Sequence, residues 1–66
     1  MQNNVKEFRK RLGLSQEELS EKSGVSRSII SALENEKERT VTTKTLLRLS
    51  DALNTTVDAL FFGTSV

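Results

Sequence analysis

Apolar residues recur at three- and four-residue spacing from Val5 to Phe61, a period that predicts an all-helical chain. Val5, Phe8 and Leu12 place one stripe on a first helix ending near Gly13, whose missing Cβ suits a left-handed C-terminal cap. Ser15 opens a second helix with two agreeing signals. Ser15 and Glu18 make a capping-box pattern, and Leu14 and Leu19 hold the two positions of a hydrophobic staple. Gly24 stops this helix, and Ser26 can cap a third, with Val25 and Ile30 repeating the staple. Only Gly24, Val25 and Ser26 separate the two helices, so the chain turns sharply and a long antiparallel hairpin is excluded.

Glu34 to Val41 read as a polar, mostly charged loop. Thr42 then suits the cap of a fourth helix with Leu46, Leu49 and Leu53 inward, and Thr56 the cap of a fifth over Val57 to Phe62, stopped by Gly63. There is no proline, linker, repeat or low-complexity segment. The expected architecture is one all-α domain over residues 1–66, five short helices ordered from about residue 4 to about residue 63, with a short C-terminal tail outside the order.

A chain of 66 residues buries only about 60% of the surface its unfolded form exposes, so its stability is expected to be marginal or shared with a partner. Without cysteine there is neither a disulfide framework nor a thiolate metal site, and helix packing or self-association must serve instead. Histidine is absent too, and Asp51 and Asp58 are the only aspartates beside the glutamates. Most common nucleophiles, general bases and transition-metal ligands are therefore missing, and neither an enzyme nor a bound cofactor, metal or small-molecule ligand is expected. Polar residues follow Met1, and no apolar run is long enough for a signal peptide or a membrane span, which leads to an expected cytoplasmic location.

A net charge of +1 by itself argues nothing about partners. Its distribution does: residues 1–15 carry Lys6, Arg9, Lys10 and Arg11 against Glu7, whereas residues 16–23 carry Glu17, Glu18 and Glu21 against Lys22. The third helix is different again. At about 100° per residue, Arg27, Ser28, Ser31 and Ala32 cover one side and Ile29, Ile30 and Leu33 the other. A helix that enters a DNA major groove about 12 Å wide needs a leading face small enough to fit. Arg27 lies in the first turn, the end that reaches base edges, and its guanidinium can fork onto guanine O6 and N7. Ser28 and Ser31 can donate to or accept from bases or phosphates, and Ala32 can touch a thymine methyl. The competing reading is an ordinary solvated face. Ile29 sits at the edge of the core side, open to burial, to a thymine methyl or to solvent, with partial burial favoured.

The stretches Leu12-Gly13-Leu14-Ser15-Gln16-Glu17-Glu18-Leu19, Gly24-Val25-Ser26 and Ile30-Ser31-Ala32-Leu33-Glu34-Asn35 strongly resemble the helix-turn-helix domain of the lambdoid phage repressor and Cro family, also called the xenobiotic-response-element family. The likeness runs from about Val5 to Gly63 and includes "TTVDALFFG", which looks like the family's fifth helix. It implies that Arg27, Ser28 and Ala32 face the bases, with Ser31 beside them. It implies that Gln16 binds a phosphate at a helix N-terminus and braces the recognition helix. Ser15 and Ser26 join it at the backbone, while Asn35, Lys37, Arg39 and Lys44 line the backbone on the far side. Arg9 and Glu34 match a pair that relatives use as a partly buried salt bridge from helix one to the end of helix three, which holds Arg9 near a phosphate.

Two features depart from the family pattern. The loop "EKERTV" carries Glu36 and Glu38 where relatives are often more basic and looks about two residues longer than in the shortest of them; Val41 replaces a proline common before the fourth helix. Modest affinity for the DNA backbone is expected. Leu47, Phe61 and Phe62 are more apolar than a monomer this small needs, and of these Phe61 is expected in the core and Phe62 as a dimer contact.

The resemblance implies a sequence-specific transcriptional regulator of double-stranded DNA, foremost a homodimeric repressor on a palindromic operator, since one recognition helix reads only a few base pairs. Dimerisation is expected through the loop between helices three and four or through the C-terminal helix. The alternatives are a controller protein of a restriction-modification system, which also activates, and an antitoxin-type regulator that binds a protein partner. At this length no ligand-sensing domain is expected, and with three residues after Gly63 little of a toxin-binding segment is expected either.

Overall fold

The computed structural model describes residues 3–37 and 41–62, apart from the side chain of Phe62. Four α-helices run in order, α1 (Val5–Arg11), α2 (Gln16–Ser23), α3 (Arg27–Glu34) and α4 (Thr43–Ala52), followed by a π-helical turn at Asp58–Phe62. The described residues contain no strand. Short polar side chains set the helix starts. Ser15 Oγ accepts from Glu18 N at 3.0 Å while Glu18 Oε1 accepts from Ser15 N at 2.8 Å, a complete capping box. Ser26 Oγ accepts from Ile29 N at 3.3 Å, and Thr42 Oγ1 from Thr45 N at 3.2 Å. Thr56 Oγ1 does the same for Ala59 N at 3.1 Å.

Helix ends are built as systematically. Gly24 closes α2 in the left-handed conformation with φ 76°. In α1 the amides of Gly13 and Leu14 return to Lys10 O and Arg9 O. In α3 those of Glu36 and Lys37 return to Leu33 O and Ala32 O, and in α4 those of Asn54 and Thr55 return to Asp51 O and Ser50 O. Each is the paired bond of a Schellman cap, which satisfies carbonyls that a helix end leaves orphaned. The motif needs one residue at positive φ. Gly13 (71°) has no Cβ to clash and Asn54 (54°) is a short polar residue that tolerates the conformation, whereas Glu36 (57°) has neither advantage.

Val5, Leu19, Ile30, Leu33, Leu49 and Leu60 are fully buried, and Val25, Ala52, Leu53 and Phe61 complete the core. Phe8, Leu14, Ile29, Leu46 and Val57 pack against it half-buried. Ile29 thus has the partial burial its edge position suggested. Leu12 does not join the stripe of Val5 and Phe8: it is 42% exposed, because α1 ends on it and the chain turns at Gly13. Leu47 is exposed on the outer side of α4. The fifth helix differs in winding from the ordinary helix expected. Its carbonyls at Ala59 and Leu60 accept from Asn4, through Nδ2 and the backbone N–H, both at 2.8 Å. Gly63, the expected stop, lies outside the described residues, as do Glu38 and Arg39.

Candidate nucleic-acid interface

The turn from α2 to α3 is held from inside and outside. Ser20 Oγ donates to Val25 O at 2.7 Å, buried Ser23 donates to Leu19 O at 2.7 Å, and its Oγ accepts from Val25 N at 3.1 Å. From α4, Arg48 Nη1 reaches Gly24 O at 3.5 Å, placing a cation at the C-terminal end of α2, where the helix dipole favours it. With Ile30 and Leu33 fixed in the core, α3 must present its opposite face to solvent.

That face is one wall of an open groove lined by Gln16, Arg27, Ser28, Ser31, Ala32, Asn35 and Lys37. Arg27 and Ser28 are exposed; Ser31 and Ala32 are half-buried. All four residues expected to face bases are therefore brought together, with Gln16 from the start of α2 and Asn35 and Lys37 from the end of α3 at the rim. Four other residues do not line it. Ser15 and Ser26 serve as caps of α2 and α3, Lys44 is exposed in the first turn of α4, and Arg9 is turned inward. Arg39 and the side chain of Phe62 are outside the described residues.

Beneath the groove, Arg9 Nε and Nη2 donate to Glu34 Oε2 and Oε1 at 2.6 and 3.0 Å, and Gln16 Nε2 donates to the same Oε1 at 3.0 Å. Arg9 Nη1 also donates to Leu14 O at 2.7 Å, tying in the α1–α2 turn. Burial alone pushes the Glu34 carboxyl up. The hydrogen bonds from Arg9 and Gln16, with the charges of Arg9 and Lys6, outweigh it and hold the group below its ordinary value. The hydrogen bond to Glu34 raises Arg9 against the desolvation that lowers it, so the guanidinium stays charged. Three helices thus meet at one carboxylate, and Gln16 is anchored on one side while it faces the groove on the other.

A separate contact to the end of α3 is one that residue patterns do not signal. Asn3 Nδ2 donates to Leu33 O at 2.8 Å, thirty residues away, and its Oδ1 accepts from Val5 N at 3.1 Å. No group of three or more His, Cys, Asp or Glu among the described residues could hold a metal, and no helix there is long and apolar enough to cross a membrane.

Two adjacent short helices with a three-residue turn, the second showing a small polar face over a buried network, form a helix-turn-helix. The helix-turn-helix family pattern matches residues 5–60. The chain belongs to that family. Control protein C.SmaI of Serratia marcescens is 49% identical over 57 residues, which is 86% of this chain and 67% of that protein. The structure of a SinR protein/SinI protein complex matches with a TM-score of 0.86 at 31% identity, covering 94% of this chain. This helix-turn-helix chain spans 60% of the length of that solved relative. The family is one of DNA-binding transcriptional regulators of the Cro/C1 type, and this member carries its DNA-binding fold.

Proposed function

We propose that this helix-turn-helix protein represses transcription as a homodimer that lays α3 in the major groove of a palindromic operator. The observation that carries the reading is the groove itself, where Arg27, Ser28, Ser31 and Ala32 share one wall with Gln16, Asn35 and Lys37 at the rim. Arg27, in the first turn of α3, takes the bidentate contact to a guanine; Ser28 and Ser31 supply adaptable hydrogen bonds, and Ala32 lets the backbone approach and meets a thymine methyl. Gln16, Asn35 and Lys37 take phosphates, and Ser15, Ser26, Lys44 and Arg39 extend the backbone contacts. Arg9 supports this surface through Glu34 and Gln16 more than by reaching a phosphate, since three of its nitrogens are already bonded within the protein.

Residues 1–66 act in this account as one DNA-binding domain in the cytoplasm, without catalysis. Pairing follows from information content: one α3 reads too few base pairs to mark a site in a genome. The control protein among the relatives favours a second reading, a controller of a restriction-modification system that activates as well as represses. The match to a SinR protein/SinI protein complex favours a regulator that also binds a protein partner, with the C-terminal turn and Phe62 as the place for such a contact. Selection of bound duplexes from a random pool at one stated near-physiological salt concentration tests the proposal. A palindrome with half-site centres about 10 base pairs apart supports it; no enriched sequence overturns it.

A further inference from the structure

The end of the recognition helix is fixed by a second device besides the Arg9–Glu34 pair, and it comes from outside the helix-turn-helix. Asn3 and Asn4 precede α1, and their side chains run to two different places. Asn3 Oδ1 accepts from Val5 N at 3.1 Å, which orients its amide so that Nδ2 donates to Leu33 O at 2.8 Å. Asn4 donates from Nδ2 to Ala59 O and from its backbone to Leu60 O, each at 2.8 Å. Both asparagines are half-buried, where such bonds meet less competition from water than on the open surface.

Leu33 is not a neutral point of attachment. It sits between Ala32 in the groove and Glu34 in the buried network, and its carbonyl also accepts from Glu36 N in the cap that closes α3. That cap is strained, because Glu36 has φ 57°, and it aims Asn35 and Lys37 at the rim of the groove. A strained cap keeps its geometry only when surrounding bonds over-determine it. The amide of Asn3 is one such bond, and Asn4 anchors the segment that carries it to the C-terminal turn.

We propose that Asn3 is a positioning residue for DNA recognition, a clip that holds the C-terminal end of α3, and with it Asn35 and Lys37, in register for the phosphate backbone, with Asn4 as its anchor. The proposal rests on the reading of α3 as the DNA-reading helix. Asn3 touches no DNA itself; it acts through Leu33 O and the cap.

Asn3→Ser separates the bond to Val5 N from the bond to Leu33 O. A serine hydroxyl at this place still accepts from Val5 N but is too short to reach Leu33 O, and no charge changes. The full chain is titrated with the duplex selected by the parent, and amide hydrogen exchange is followed in the free protein. Asn3→Ser is expected to bind about three- to tenfold more weakly, as loss of one ordinary hydrogen bond allows, with an unchanged salt slope and faster exchange at Glu36 and Lys37. Leu46→Ala, which loosens the core away from the groove, is expected to keep parental affinity below its unfolding transition. Parental affinity and parental exchange in Asn3→Ser overturn the proposal, as does an equal loss of affinity in Leu46→Ala. Arg27→Ala in the same titration separates the two levels: if it weakens binding and Asn3→Ser does not, the clip alone fails, and if neither weakens binding, the reading of α3 fails first.

Discussion

Arg9 and Glu34 meet by a two-pronged contact at 2.6 and 3.0 Å across 25 residues of sequence, with side chains 11% and 3% exposed. A pair this buried is worth little net over an apolar replacement, yet removing one partner strands a charge. Arg9→Met is therefore expected to destabilise the domain by about 3–5 kcal/mol, and Arg9→Met combined with Glu34→Leu to recover much of that loss. Urea denaturation of the parent, the single and the double variant measures it; a double variant as unstable as the single one would refute the account of the pair.

The same pair sets a pH dependence with a definite sign. Glu34 titrates lower in the folded chain than its ordinary value of 4.5, so its contribution is complete above that value and is lost as pH falls through the folded one. Arg9 remains charged throughout. In urea, the stability gap between the parent and Glu34→Gln should be constant from pH 7 to about pH 5 and then narrow toward pH 3; a gap that widens on acidification contradicts the assignment.

Glu36 holds a backbone conformation that costs an L residue roughly 1–2 kcal/mol, in a cap where glycine is usual. Glu36→Gly should raise stability by about 0.5–1 kcal/mol after the extra unfolded-state entropy is counted. Thermal unfolding decides this, and a lower Tm would show that the Glu36 side chain contributes more than its backbone costs. Gly13→Ala is the mirror case: space around it is open, but φ 71° makes the change destabilising.

Local signals in the sequence were strong where one turn of chain decides the outcome. Ser15 with Glu18, Gly24 before Ser26, and Thr42 before Thr45 carry their structure within four residues, and all formed as the capping rules require. Helical period assigns Leu12 to the stripe of Val5 and Phe8, but it does not say how far the core reaches along the helix, and Leu12 at the C-cap lies 42% exposed. Nothing in the side chain of Glu36 announces a left-handed backbone. Asn3 and Asn4 act across 30 and 55 residues, a separation over which no periodic or capping pattern operates. The Arg9–Glu34 pair was visible only through family resemblance, and the geometry then added Gln16 and the Leu14 carbonyl to it.

Lys37 stands at the rim, exposed, beyond the end of α3. A phosphate contact there carries no sequence information. Lys37→Ala is expected to weaken binding to preferred and random duplexes alike and to lower the slope of log affinity against log salt by about one. Titrations at several salt concentrations measure both; a loss confined to one base position would move Lys37 from the backbone to the reading face.

The central claim is that the small face of α3 reads bases, and Arg27 is its sharpest test. Parent and Arg27→Ala are titrated against the selected duplex and against its single-base variants at fixed salt. Arg27→Ala is expected to lose about 1–3 kcal/mol on the preferred sequence and to relax the preference at one base position per half-site, with folding unchanged. Parental affinity with parental base preference in Arg27→Ala would contradict it.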